Sequence, residues 1–401
     1  MSEVAVLSPG EVLPVTTAPA VQGAVTCSGT THGESASLAG HLAAVEALDL
    51  RDQALAALDS GSPDAGLTIA ASGLAVLGAA GLRAGADAVA VLVAVAEIEE
   101  CLGLFGDAAV TIATAIAILD GGLPVDRDDD LLLVWCQAQE RLAGLERLAG
   151  DFDAARARLR AVLDRASAVF GEASMAVVSA ANALGVAGKY ASDFSGAEAA
   201  YRRAMTALDA LPGADPLVRA GLLHNLGGLA HSRGDFAAGI PLAEAGMALR
   251  DARLGGDHPD VARDLNALGA LYHLAGRFDD AAAAYRRALA VFEHRYGPGH
   301  FEVAMTCANL AVLASDQGDF PEAESLGRRS LRILQAVLGP ADAEAGLTLL
   351  NLGAAVAGQG RRAEAARLTT RAAAILTARL PAGHPHVAAA AEALERLGVP
   401  S

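Results

Sequence analysis

A punctuation that returns at a fixed distance constrains this chain more than any other feature. "FGDAA" at Gly106, "GDFDAA" at Gly150, "SDFSGA" at Ser192, "GDFAAG" at Gly234, "GRFDDA" at Gly276, "GDFPEA" at Gly318 and "GRRAEA" at Gly360 mark one column. The first interval is 44 residues and each later one is 42. A repeat of this length builds a stack of similar units, each covering its neighbour's apolar face. That reading displaces the two or three unrelated domains that 401 residues would otherwise suggest.

Each column has a physical reason. Gly in the first place suits a left-handed helix C-cap, and Asp107, Asp151, Asp193, Asp235 or Asp319 behind it can cap the next helix. Phe152, Phe194, Phe236, Phe278 and Phe320 follow and are expected as a buried plug between hairpins. Ala155, Ala197, Ala281, Ala323 and Ala365, with Gly239 as the variant, let two helices approach closely. Eight residues before the Gly column runs an apolar ladder, Ile98, Leu142, Leu184, Leu226, Leu268, Leu310 and Leu352. Apolar residues at i, i+3, i+4 and i+7 flank both ladders, so each unit reads as helix, turn, helix. His258, His300 and His384 share a column in the loops between units and are expected to cap or brace them.

Composition agrees with an all-α chain: aromatics are 4% while Ala, Leu and Gly abound. The formal charge of −17 argues against a nucleic-acid or anionic membrane footprint. Cys27, Cys101, Cys136 and Cys307 lack CxxC spacing, so reduced, mostly buried thiols in a cytoplasmic setting are expected. The apolar stretch from Gly66 to Ala96 is interrupted by Arg83 and Asp87 and reads as a buried helical hairpin.

The segment "HPDVARDLNALGALYHLAGRFDDAAAAYRRALAVFEHRYGPGH", echoed by "FEVAMTCANLAVLASDQGDFPEAESLGRRSLRIL" and "AAYRRAMTAL", resembles the tetratricopeptide-repeat (TPR) family of the kinesin-light-chain subtype. The resemblance implies a right-handed superhelical solenoid whose first helices line a concave groove. The expected division is a disordered tail over 1–38, degenerate helical repeats over 39–128, TPR repeats over 129–383 and a capping helix over 384–401.

The resemblance also tells which columns to inspect for a binding site. Asn225, Asn309 and Asn351 match the family's groove asparagine, and Asn182, His224 and Asn266 stand one residue earlier in the repeat. Asn is disfavoured inside helices, and its carboxamide suits the alternating N–H and C=O of an extended peptide. The competing reading makes these residues hydrogen-bonded spacers between helices. His231 and His273 stand with Lys189 and Ser315 three residues before the Gly column, and Arg263 lies one turn before Asn266. The strip is therefore expected to be neutral to basic and to favour a ligand with acidic residues or a free carboxylate. Asn225 with Arg263 matches two positions of a TPR carboxylate clamp, but Ala267 replaces its second basic residue.

No HExxH, GxSxG or nucleotide fingerprint appears, and no cofactor or metal is expected. The histidines at 224, 231 and 273 lie too far apart along and between helices to converge on one ion. A non-catalytic protein- or peptide-binding scaffold is the leading reading. A peptide-sensing regulatory receptor and a self-assembling structural protein are the alternatives.

Overall fold

The computed structural model describes residues 38–398 except 61, 123, 124, 126, 127 and 382. Cys27 and the rest of the tail preceding Leu38 lie outside them. The described chain is an all-α solenoid of tandem helix-turn-helix units, with seventeen α-helices and no strand among the described residues. Two compact units meet in sequence between Ala214 and Asp215.

The first unit holds α1 (Leu38–Asp59), α2 (Pro63–Ala79), α3 (Ala86–Cys101), α4 (Phe105–Gly122), α5 (Asp129–Leu148), α6 (Phe152–Phe170), α7 (Met175–Tyr190) and α8 (Phe194–Asp209). The second holds α9 (Pro216–Ser232), α10 (Phe236–Leu254), α11 (Pro259–Leu274), α12 (Phe278–Tyr296), α13 (Phe301–Asp316), α14 (Phe320–Val337), α15 (Ala343–Gly358), α16 (Arg362–Arg379) and α17 (Pro385–Leu397). In this second unit each odd-numbered helix up to α15 packs most closely on the even-numbered helix that follows it, and α17 covers α16. The stretch Gly66–Ala96 forms parts of α2 and α3, and no described helix is long and apolar enough to cross a membrane.

The punctuation works largely as expected. Gly150, Gly234, Gly276, Gly318 and Gly360 have φ between 72° and 83°, and Ser192 holds the same left-handed place at 58°. The side chains of Asp151, Asp193, Asp235 and Asp319 accept bonds from Ala154 N, Gly196 N, Ala238 N and Glu322 N. His258, His300 and His384 cap α11, α13 and α17, each Nδ1 accepting a backbone N–H two residues on at 3.2 Å. Asp342 takes that role for α15, at 2.9 Å from Glu344 N.

Two expectations fail. In the α3–α4 turn the left-handed residue is Gly103, at φ 74°, and Gly106 and Asp107 lie inside α4. The true register is Gly103-Leu104-Phe105, the counterpart of Gly150-Asp151-Phe152; the Asp after Gly106 disguised it. The Phe column is not fully buried either: Phe152, Phe194, Phe236 and Phe320 are half-buried and Phe278 is 36% exposed, because each is the first residue of its helix.

The buried aromatics sit one turn and more into the second helices. Tyr201, Tyr285 and Phe292 are wholly inaccessible. Tyr201 and Tyr285 pack against Gly185 and Gly269, where an added Cβ would come within 2.4 and 2.6 Å of a ring carbon. The same pair of positions holds Gly227 with Ala243 and Gly353 with Thr369, and reverses to Ala311 with Gly327. Large therefore meets small in the Tyr201–Gly185 and Tyr285–Gly269 hairpins, whereas small meets small at Gly227 with Ala243 and at Ala311 with Gly327.

Candidate functional site

The second unit presents a stripe on α13. Glu302, Met305, Asn309, Val312 and Asp316 follow at alternating spacings of three and four, so they share one helix face. α11 clasps both ends of that stripe. Arg263 Nε donates to Glu302 Oε1 at 2.9 Å, while its Nη1 donates to Asp260 and its Nη2 to the Tyr296 hydroxyl. At the other end His273 Nε2 meets Asp316 Oδ2 at 2.8 Å. Burial opposes the charge of Arg263, but the bond and field of Glu302 outweigh it and hold the guanidinium pKa above its usual value.

Asn309 lies between the two clasps. It is completely closed to solvent, and neither Nδ2 nor Oδ1 has a hydrogen-bond partner. Met305 and Val312, one turn either side, are each 1% exposed. Asn266 Oδ1 on α11 and Thr348 Oγ1 on α15 are likewise buried and unbonded. A cavity of about 10 Å3 lined by Ala308, Val312, Thr348 and Asn351 adjoins the stripe. Asn225 and Asn351 are half-buried.

The remaining basic groups of the strip are also compensated. His224 Nδ1 meets Asp264 Oδ1 at 2.8 Å, and Arg250 of α10 pairs with the other oxygen of Asp264. Asp264 and Arg250 are buried, at 3% and 5% exposure, so one carboxylate ties α9, α10 and α11 together. His231 stands edge-on to Phe236 at 6.2 Å, and His273 does the same to Phe278 at 5.8 Å. These imidazoles close the turns of their own hairpins. The structure thus pairs each of His224, Arg263 and His273 with an acidic side chain, and it leaves no bare basic strip among these three.

Asp260, Asp264, Glu302, Asp316 and Arg250 were missed by sequence reasoning. A signal existed: the three clasps join residues 39, 40 and 43 positions apart, one repeat length. A search for acids one period from a basic residue would have found Asp264, Glu302 and Asp316.

Asn182 belongs to the first unit and is half-buried on α7. One helical turn before it, Ser179 Oγ donates to Glu140 Oε2 of α5 at 2.6 Å. At the end of α7 both Arg147 and Lys189 lie 4.6 Å from the centre of the Tyr190 ring. Of the described thiols, Cys136 and Cys307 are buried and their pKa values are pushed up to about 12 and about 11, first by burial; Cys101, expected inside, is exposed. No group of three His, Cys, Asp or Glu among the described residues could hold a metal ion.

No curated protein sequence matches the chain. Among solved structures it is similar to BtubC (BKLC) from P. vanneervenii, at 25% identity over 56% of this chain and 90% of that one, with a TM-score of 0.50. It resembles the apo form of RapI at 12% identity over 76% and 79% of the two chains, TM-score 0.57. A Rap protein complexed with competence and sporulation factor aligns at 14% identity over 73% and 77%, TM-score 0.52. The two Rap likenesses are of fold. Residues 218–294 and 301–378 match the tetratricopeptide repeat family, so the part of the chain that carries the clasped asparagine stripe is built of tetratricopeptide repeats.

Proposed function

We propose that this chain is a non-catalytic protein- or peptide-binding scaffold whose site is the first-helix face of the second unit, with Asn225, Asn266, Asn309 and Asn351 reading an extended backbone. Asn309 carries the proposal. A buried carboxamide with no partner on either atom costs about 1–3 kcal/mol, and a peptide N–H and C=O would satisfy both its acceptor and its donor. The repeat segment His258–His300 supports the kinesin-light-chain subtype as part of this reading. The unpaired thiols of Cys101, Cys136 and Cys307 support a reducing, cytoplasmic setting.

His224, His231, Arg263 and His273 frame the site. Because Glu302 already holds Arg263, an acidic residue or free carboxylate of the ligand would bind by replacing Glu302, not by filling an open positive pocket. Asn182 would serve the first unit in the same way. A peptide-sensing receptor is the alternative, favoured by the fold shared with a Rap protein complexed with competence and sporulation factor. The test is affinity capture from a lysate with wild type and an Asn225→Ala, Asn309→Ala, Asn351→Ala variant. Retention should fall while helical content and melting stay nearly constant. Equal retention with intact melting would remove the asparagines from the site.

A further inference from the structure

Arg277 and Arg361 stand two repeats apart in the turns of their hairpins, but only one of them is fully engaged by the chain itself. Arg361 Nη1 donates to Glu324 Oε2 at 2.6 Å and its Nη2 donates to Glu364. Gln359 Nε2 donates to the Phe320 carbonyl at 3.1 Å and to Glu324 Oε2 at 2.8 Å. The chain's own carboxylate and amide thus bridge the α13–α14 and α15–α16 turns. Two repeats earlier Phe236 and Arg277 hold the places of Phe320 and Arg361, but Ile240 replaces Glu324 and Ala275 replaces Gln359. There the α9–α10 and α11–α12 turns border an open cavity of about 650 Å3, lined by residues that include Asp235, Phe236, Ile240, Pro241, Ala275 and Arg277. The volume is that of a small-molecule site.

The cavity keeps the polar groups whose internal partners are missing. Arg277 is held as a fixed plate: its Nε donates to Asp280 Oδ2 at 2.7 Å, and its guanidinium lies 4.3 Å from the centre of the Tyr272 ring. Neither Nη group is bonded among the described residues, and the side chain is 47% exposed. On α10, Pro241 has no N–H, so the helix cannot close its usual bond onto the Ala237 carbonyl. The Phe236 carbonyl lacks the amide that Gln359 gives to Phe320. Asp235 caps α10 through Ala238 N, and it shares the cavity with Arg277 without an ion pair between them among the described residues.

We propose that this cavity binds a free α-amino acid with an apolar side chain, its carboxylate on the Nη groups of Arg277 and its ammonium shared by Asp235 and the carbonyls of Phe236 and Ala237. Opposite charges held apart on one cavity suit a zwitterion, and the planar guanidinium suits a carboxylate. The ligand's carboxylate takes the place that Glu324 fills two repeats later, and its N–H groups take that of the Gln359 amide. Its side chain rests on Ile240 and Pro241, where nothing charged would find a partner.

The test is isothermal titration of the full chain with L-leucine. Saturable binding with a dissociation constant of about 1 mM or below is expected. Arg277→Gln should weaken it by about tenfold or more. Ala275→Gln, at an exposed position, places an amide where Gln359 stands in the later turn and should weaken binding as much, with an unchanged thermal melt. Leucinamide lacks the carboxylate and N-acetyl-leucine lacks the ammonium, so each should bind about tenfold or more weakly than leucine. No saturation with leucine, or a leucine affinity unchanged by either substitution, would overturn the proposal. Leucinamide binding as tightly as leucine would overturn it by removing Arg277 from the carboxylate. N-acetyl-leucine binding as tightly as leucine would overturn it by assigning the cavity to the last residue of a peptide.

Discussion

Size complementarity across the α11–α12 hairpin makes a sharp prediction at Gly269. An added Cβ would stand 2.6 Å from Tyr285 Cε1, 2.7 Å from Cδ1 and 3.0 Å from Cζ. Ordinary carbon contacts begin near ~3.5 Å, so the ring must move by about 1 Å. It has no room to do so, because Tyr285 is fully buried on every side. Overpacking of this kind costs about 1–3 kcal/mol, against a gain of about 1 kcal/mol in helix propensity from Gly to Ala. Gly269→Ala should therefore destabilise by up to about 2 kcal/mol net. Gly227 is the internal control: its Cβ would meet Ala243 Cβ at 3.4 Å, ordinary contact, so Gly227→Ala should stabilise by up to about 1 kcal/mol. Urea unfolding, with hydrogen exchange to localise the change in a repeat array, is the assay. Tyr285→Ala alone should cost about 3–5 kcal/mol, and adding Gly269→Ala to it should cost little more. Equal effects of alanine at 227 and 269, or strict additivity with Tyr285→Ala, would refute the reasoning.

Other substitutions probe separate parts of the structure. Asp264→Ala strands the buried Arg250 and should cost about 3–5 kcal/mol by chemical denaturation, while Arg250→Leu with Asp264→Leu should recover most of it. Tyr285→Phe should be neutral or stabilising, since the buried hydroxyl has no partner. Phe278→Ala, at a ring 36% exposed, should cost only about 1–2 kcal/mol, below the range of a buried aromatic. The Glu324 carboxyl is raised by burial but driven down to about 2 by bonds from Arg328, Gln359 and Arg361. Its folded pKa is depressed, so its contribution is present above the unfolded value of about 4.3 and is lost as pH falls toward 2. In Glu324→Gln the thermal melt should lose that part of its acid sensitivity.

The fold was legible because its signals are local. A left-handed Gly and an Asp three residues before an N–H are both written within one turn, and the His column declared itself by loop position alone. Register failed only at Gly103, where Leu104 replaces the capping Asp and Gly106-Asp107 imitates the motif one turn later. The site was half legible. The asparagines announced themselves as poor helix residues, but their burial depends on what packs around the stripe. The acidic partners of the strip escaped notice because Asp264, Glu302 and Asp316 lie about a full repeat away from His224, Arg263 and His273. Phe and Tyr exchanged roles for a similar reason: a ring at the first residue of a helix sits at the edge of a layer, whereas Tyr285 stands two turns inside and opposite a Gly.

The most direct measurement asks which face a captured partner touches. A photoreactive side chain placed at Ala267 on α11 or Ala354 on α15 lies in or one turn from the asparagine column, and one at Arg286 on α12 lies on the second-helix face. Partner cross-links from 267 and 354 and none from 286 are the predicted result. Cross-links confined to 286 would contradict binding by the first-helix face.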